Sequence, residues 1–207
     1  MSEEQIVYIV DDDTDVREGF GLLMETVGQR TKAYETAVAF LQDYHDGMRG
    51  CLVLDIRMPR MSGLELQQKL IERNTLLPII FITGHGDVPL AVEAMRRGAL
   101  DFIRKPFREQ DLLDRINEAL AIEDGKRRTQ VDKQNLVEQF DSLSEREREV
   151  LALVADGKMN KVVAQDLGIS ERTVEVHRSH IMHKLGVQTL AQLVRLKIEA
   201  ESLGGEQ

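Results

Sequence analysis

The sequence predicts a doubly wound parallel α/β unit followed by a wholly helical unit. Three observations carry that reading. Short apolar runs alternate with helix-period segments over residues 1–122. From residue 142 the pattern is helical throughout. The polar stretch between them has no proline and good helix formers.

The first apolar run, Ile6-Val7-Tyr8-Ile9-Val10, ends in Asp11-Asp12-Asp13. Such a short, nearly continuous run bounded by turn residues suits a strand buried on both faces. Helical spacing of Val16, Phe20, Leu23 and Val27 predicts a helix over 14–27, capped by Asp13 or Thr14 and stopped by Gly28. A weak strand over 30–34 and a helix over 36–44 follow. Next come a strand at 51–54, a helix near 63–73, a strand at 79–82, a helix near 88–97 and a strand at 100–104. A last helix starts near Glu109. Five strand–helix repeats imply right-handed crossovers, helices on both faces and the flavodoxin-like strand order 2-1-3-4-5.

Residues 123–140 read as a helical linker with Gly125 as its natural break, so the units are 1–122 and 141–207. In the second unit, Ser144 and Glu147 form a capping box ahead of Val150, Leu151 and Val154. Gly157 stops that helix. Asn160 is expected to cap the next helix, which Gly168 stops, and Ser170 caps a third running to about Leu185. A fourth spans about 189–199. The tight Gly168-Ile169-Ser170 connection gives a helix-turn-helix layout.

Composition bounds the rest. Apolar content of 42% suffices for globular cores. No run approaches the roughly 18 apolar residues of a membrane helix, so no membrane partner is expected. The N-terminus lacks a basic segment leading into an apolar one, which points to a cytoplasmic location. Cys51 is the single cysteine and sits in a strand pattern, where a buried, inert thiol is expected. Of the net charge of −9, residues 1–122 carry −7, 123–139 carry 0 and 140–207 carry −2. Any contact with nucleic acid must therefore rest on locally placed basic groups.

Open parallel sheets bind ligands beyond the carboxyl ends of their strands. Asp11 and Asp12, Asp55, Thr83 and Lys105 all fall at such ends. Crowded carboxylates repel unless a cation intervenes. Magnesium takes one or two direct carboxylates and keeps several waters. Asp12 and Asp55 are expected to bind it directly, Asp11 through water, with a main-chain carbonyl just after Asp55. Asp55 is then a phosphoryl nucleophile. Lys105 supplies a compact charge for the phosphoryl oxygens, and Thr83 a hydroxyl.

These residues lie in Val10-Asp11-Asp12-Asp13, Leu54-Asp55-Ile56-Arg57-Met58-Pro59 with Gly63, Ile82-Thr83-Gly84, and Asp101-Phe102-Ile103-Arg104-Lys105-Pro106-Phe107. With them the first unit resembles the receiver domain of two-component response regulators. The resemblance implies that Asp55 accepts a phosphoryl group from a sensor histidine kinase. It implies Mg2+ or Mn2+ on Asp11, Asp12, Asp55 and the Arg57 carbonyl. It implies a switch formed by Thr83, Phe102 and Lys105, with Phe102 acting by packing because it lacks a tyrosine hydroxyl. The stretch Gly84-His85-Gly86-Asp87-Val88-Pro89-Leu90-Ala91-Val92 resembles the FixJ branch. That branch implies a phosphorylation-dependent homodimer, with Val88, Val92, Met95 and Arg96 as its candidate face. The other reading of those four is helix core and solvated edge. His85 is read as a loop residue.

In the third helix of the second unit, Val174, Ile181 and Leu185 share the inward side. About 100° per residue puts Arg172, Glu175, Val176, Ser179, His180 and His183 opposite. In a major groove Val176 could touch a thymine methyl, and Glu175 could accept from a cytosine amino group. Lys161, Thr173, Arg178 and Lys184 would meet phosphates. The motifs Leu143-Ser144-Glu145-Arg146-Glu147, Gly157-Lys158-Met159-Asn160-Lys161, Leu167-Gly168-Ile169-Ser170, Thr173-Val174-Glu175-Val176-His177 and Lys184-Leu185-Gly186-Val187 resemble the LuxR-type DNA-binding domain. By that resemblance the fourth helix pairs two domains on an inverted repeat of double-stranded DNA. The first exposed reading position, often lysine there, is Glu175 here.

Together these imply a FixJ/NarL-type response regulator that controls, and more commonly activates, transcription with RNA polymerase as a further partner. It takes the phosphoryl group onto itself and is not a turnover enzyme on an external substrate. A phosphatase with an aspartyl-phosphate would need an acid two residues after the nucleophile, where Arg57 stands. A protein-binding helical module is the remaining rival, separable by salt-sensitive DNA retention.

Overall fold

The computed structural model describes residues 4–84 and 88–204. His85 and the side chain of Val88 fall outside what is described. Two compact units divide the chain, residues 1–128 and 129–207.

In the first unit, strands β1 (Ile6–Val10), β2 (Thr31–Tyr34), β3 (Gly50–Asp55), β4 (Ile79–Thr83) and β5 (Asp101–Arg104) form one sheet. All pairings are parallel, in the order β2-β1-β3-β4-β5. Alternation along the strands divides the core in two. Tyr8, Val10, Leu52, Leu54 and Phe81 face α2 (Ala37–Asp43), α3 (Gly63–Glu72) and α4 (Val88–Arg96), meeting Phe40, Leu66, Leu70 and Ala94. Val7, Ile9, Cys51, Val53, Ile80 and Ile82 face α1 (Thr14–Thr26) and α5 (Glu109–Asp141), meeting Phe20, Met24, Leu112 and Ile116. Cys51 is buried, and burial together with the nearby Glu123 charge pushes its thiol up to about 12.

Local chemistry sets the helix starts. Asp13 caps α1 by accepting from the Asp15 amide, Thr36 caps α2, and Ser62 with Glu65 closes a capping box on α3. Helix α5 differs from expectation, because it runs 33 residues straight through Gly125. One interior glycine costs only about 1 kcal/mol against alanine. The pairs Arg127–Glu123 and Arg128–Asp124, each four residues apart, support the helix across that point.

The second unit contains α6 (Glu145–Ala155), α7 (Asn160–Leu167), α8 (Glu171–Lys184) and α9 (Leu190–Gly204). Val150, Leu151, Val154, Val163, Val174, Ile181, Leu185 and Leu193 form its core. The Ser144–Glu147 capping box and the Ser170 cap are present. The expected Asn160 cap is corrected: Met159 holds the extended cap position and gives no side-chain hydrogen bond. Asn160 is the first helical residue, and its Oδ1 accepts instead from Arg178 Nη1 at 3.0 Å.

Candidate functional site

Strand register gathers the acidic site. Val10 pairs with Leu54, so Asp11 and Asp55 emerge side by side at the carboxyl edge. Asp55 pairs with Ile82, and Thr83 with Arg104, which brings in the next two strand ends. The Lys105 amide donates to the Thr83 carbonyl at 2.7 Å. Lys105–Pro106 is cis. Lys105 Nζ donates to Asp11 Oδ2 at 2.6 Å and to Asp55 Oδ1 at 3.4 Å. The second Asp55 oxygen accepts from the Arg57 amide at 2.7 Å, and Asp11 Oδ1 from the Asp13 amide at 3.0 Å. Asp11, Asp55 and Thr83 are buried, whereas Asp12 is exposed.

The electrostatics follow from this packing. Burial raises the Asp55 pKa, Lys105 opposes that, and the like charge of Asp11 raises it further. One ammonium shared by two buried carboxylates leaves negative charge uncompensated. An all-oxygen donor set with surplus charge suits a hard divalent cation. Among the described residues, no three His, Cys, Asp or Glu side chains already form a metal cluster. Asp11 lies beside Asp55 in the buried part, and Asp12, expected as a direct ligand, is placed in solvent. Phe102 is half-buried against the α4-side core.

Sequence reasoning missed two supports. Arg17 Nη1 donates to the Asp11 carbonyl at 2.7 Å and Nη2 to Thr14 Oγ1 at 2.9 Å, bracing the loop. Gly63 is the second: a Cβ there would lie 2.2 Å from the Asp55 carbonyl oxygen. Only glycine lets α3 start this close to the Asp55 backbone. Its place in the receiver motif was visible, but the contact was not.

On α4, Val92 and Met95 are large apolar side chains left exposed, and Arg96 is exposed too. These three are therefore outside the helix core, which leaves a solvated edge or a dimer face.

In the second unit, Gly168 takes the left-handed conformation at φ 66° and turns α7 into α8. The Arg146 guanidinium braces that turn through the Leu167 carbonyl. Val174, Ile181 and Leu185 are buried as expected. Arg172, Glu175, Val176, Ser179, His180 and His183 are exposed on α8, and Lys161 is exposed on α7. Val176 is 47% exposed although apolar. The Thr173 hydroxyl shares a hydrogen bond with Ser170 Oγ at 2.7 Å. Two expected phosphate contacts are engaged inside the unit. Arg178 is held by Asn160, and Lys184 Nζ binds Glu147 Oε2 at 2.7 Å and the Ser142 carbonyl at 3.1 Å. Sequence spacing could not reveal these ties, because their partners lie on other helices. Lys184 and the Ser144 cap hold the Glu147 carboxyl down at about 2 despite its burial.

Comparison with known proteins agrees with both geometries. Residues 7–117 match the response regulator receiver domain, and residues 141–197 match the luxR family of bacterial regulatory proteins. The response regulator protein TmoT of Ectopseudomonas mendocina is 47% identical over 94% of this chain and 88% of its own length. The transcriptional regulatory protein FixJ of Azorhizobium caulinodans is 42% identical over 97% of this chain and 95% of its own. Among solved structures, the response regulator StyR shares 45% identity with a TM-score of 0.90, over 95% of this chain and all of that one. This chain belongs to the response regulator family, with a receiver domain and a LuxR-type DNA-binding domain, and its relatives are transcriptional regulators of two-component systems.

Proposed function

We propose that Asp55 is the phosphoacceptor and that its phosphorylation by a sensor histidine kinase controls dimerisation and DNA binding. The observation that carries this is the convergence of Lys105 on Asp11 and Asp55, at 2.6 and 3.4 Å, where the strands end. The Asp55 oxygen facing Lys105 attacks the phosphorus of the kinase's phosphohistidine, an O–P bond forms, and the P–N bond breaks to release the kinase's imidazole. Asp11, Asp12, Asp55 and the Arg57 carbonyl would hold Mg2+ or Mn2+, which supplies positive charge to the phosphoryl oxygens when bound. Lys105 holds the opposite side of the phosphoryl group, and Thr83 and Phe102 rearrange to meet it. Hydrolysis by water returns Asp55, so the protein resets itself without turning over an external substrate.

Phosphorylation favours a homodimer through α4, with Val88, Val92, Met95 and Arg96 as its face. The exposed Val92 and Met95 support that reading. The α8 face reads an inverted repeat through Arg172, Glu175, Val176 and Ser179, with Lys161 and Thr173 on phosphates. Arg178 and Lys184 position the turn and α8 rather than contact DNA as free cations. The functional divisions are 1–122, 123–140 and 141–207. The protein works in the cytoplasm, and RNA polymerase is a further partner at the promoter.

The test compares wild type with Asp55→Asn, using a small phosphodonor and magnesium. Wild type gains one phosphoryl mass, dimerises and binds inverted-repeat DNA about tenfold or more tightly, whereas Asp55→Asn does none of these. Equal behaviour of the two proteins overturns the reading.

A further inference from the structure

Glu123 is fully buried, although it carries a carboxylate. It lies on α5 beyond residue 117, where the receiver match ends. A charge in that position persists only when donors surround it. Gln5 Nε2 donates to Glu123 Oε2 at 2.8 Å, and also to the Leu120 carbonyl at 2.8 Å. Arg49 reaches Glu123 Oε2 at 3.3 Å and Asp124 Oδ1 at 3.0 Å. Arg127 Nε donates to Glu123 Oε1 at 2.9 Å, while its Nη2 reaches the Met48 carbonyl at 2.9 Å.

These donors come from three places. Gln5 precedes β1, Arg49 precedes β3, and Arg127 is one turn further along α5. The network therefore ties α5 to the amino-terminal edge of the two central strands. That edge is opposite the one bearing Asp11 and Asp55. A buried ion cluster is poor evidence for stability, since apolar residues of similar volume often do as well. What rigid guanidinium forks add is a single allowed arrangement. The apolar stripe Leu112, Ile116 and Ala119 already packs the earlier turns. Glu123 continues that stripe and substitutes directional bonds for greasy contact.

We propose that Glu123 is a positioning residue that pins the 118–128 part of α5 to the receiver, and that this pinning couples the phosphorylation state to DNA binding. The inference rests on the phosphorylation reading given above. A purely structural role would lower melting temperature and leave the DNA response to phosphorylation intact. A positioning role changes that response.

The experiment uses the full chain as wild type, Glu123→Gln and Arg127→Gln. Arg127→Gln leaves Arg49 on Glu123, and so keeps the test open should Glu123→Gln fold poorly. Each protein is treated with a small phosphodonor and magnesium. Mass gain, hydrogen exchange over residues 118–128, and affinity for inverted-repeat DNA are then measured with and without phosphorylation. Both variants are expected to gain mass like wild type. Exchange over 118–128 rises about tenfold while the central strands stay protected. The ratio of phosphorylated to unphosphorylated DNA affinity falls about fivefold toward one. Variants that keep the wild-type ratio, or the wild-type exchange, overturn the coupling. A wild type whose DNA affinity ignores phosphorylation instead overturns the phosphorylation reading, and the coupling with it.

Discussion

Lys105 and Glu147 illustrate how single side chains divide between chemistry and support. Lys105 reaches both Asp11 and Asp55, so Lys105→Gln removes the charge that would meet a phosphoryl group. Phosphorylation by a small phosphodonor should slow about a hundredfold, the scale of losing one preorganised donor, and stopped-flow or mass kinetics will read it. Glu147 does the opposite kind of work. Its folded pKa is depressed from an ordinary 4.5 to about 2, so the folded unit binds fewer protons than the unfolded chain in between. Its stabilisation is complete above that ordinary value and disappears as pH falls to about 2. Glu147→Gln should cost about 1–3 kcal/mol near neutrality and flatten the acid side of the melting profile. An unchanged profile would mean that Lys184 contributes nothing.

Two glycines make opposite demands on their elements. At Gly63 a methyl group would collide with the Asp55 carbonyl oxygen, at 2.2 Å. Gly63→Ala should therefore destabilise the receiver by about 1–3 kcal/mol and displace Asp55, reducing any phosphorylation there as well as melting temperature. At Gly125 a Cβ meets nothing within 4 Å, and the backbone is helical. Gly125→Ala should stabilise α5 by about 0.5–1 kcal/mol, measured by thermal melting with circular dichroism. A loss of stability would restore the break that sequence alone suggests. The contrast marks what was legible. Short, nearly continuous apolar runs and capping residues revealed all five strands and most helix starts, because both signals are local. The motif positions at strand ends likewise placed Asp11, Asp55, Thr83 and Lys105 together. Asn160 looked like a cap by residue type, yet its partner, Arg178, is on α8. Glu147–Lys184 and Glu123–Arg49 were hidden for the same reason: each joins elements whose approach only the fold defines.

At the scale of the molecule, charge decides how it meets its partners. A net charge of −9 works against polyanions, so DNA affinity depends on few cations and on geometry. Arg172→Ala should weaken binding across sequences and reduce the salt slope by about 1 if it meets a phosphate. An unchanged slope with altered base preference would assign it to bases instead. The shared lysine has a larger consequence. With one ammonium shared by two sequestered carboxylates, the receiver keeps a locally repulsive pair in its fold. In metal-free buffer Asp11→Asn should therefore melt higher, by about 2–4 °C for each kcal/mol of relieved repulsion, while its phosphorylation fails. The native sequence would then be a chain that forgoes robustness in order to stay receptive.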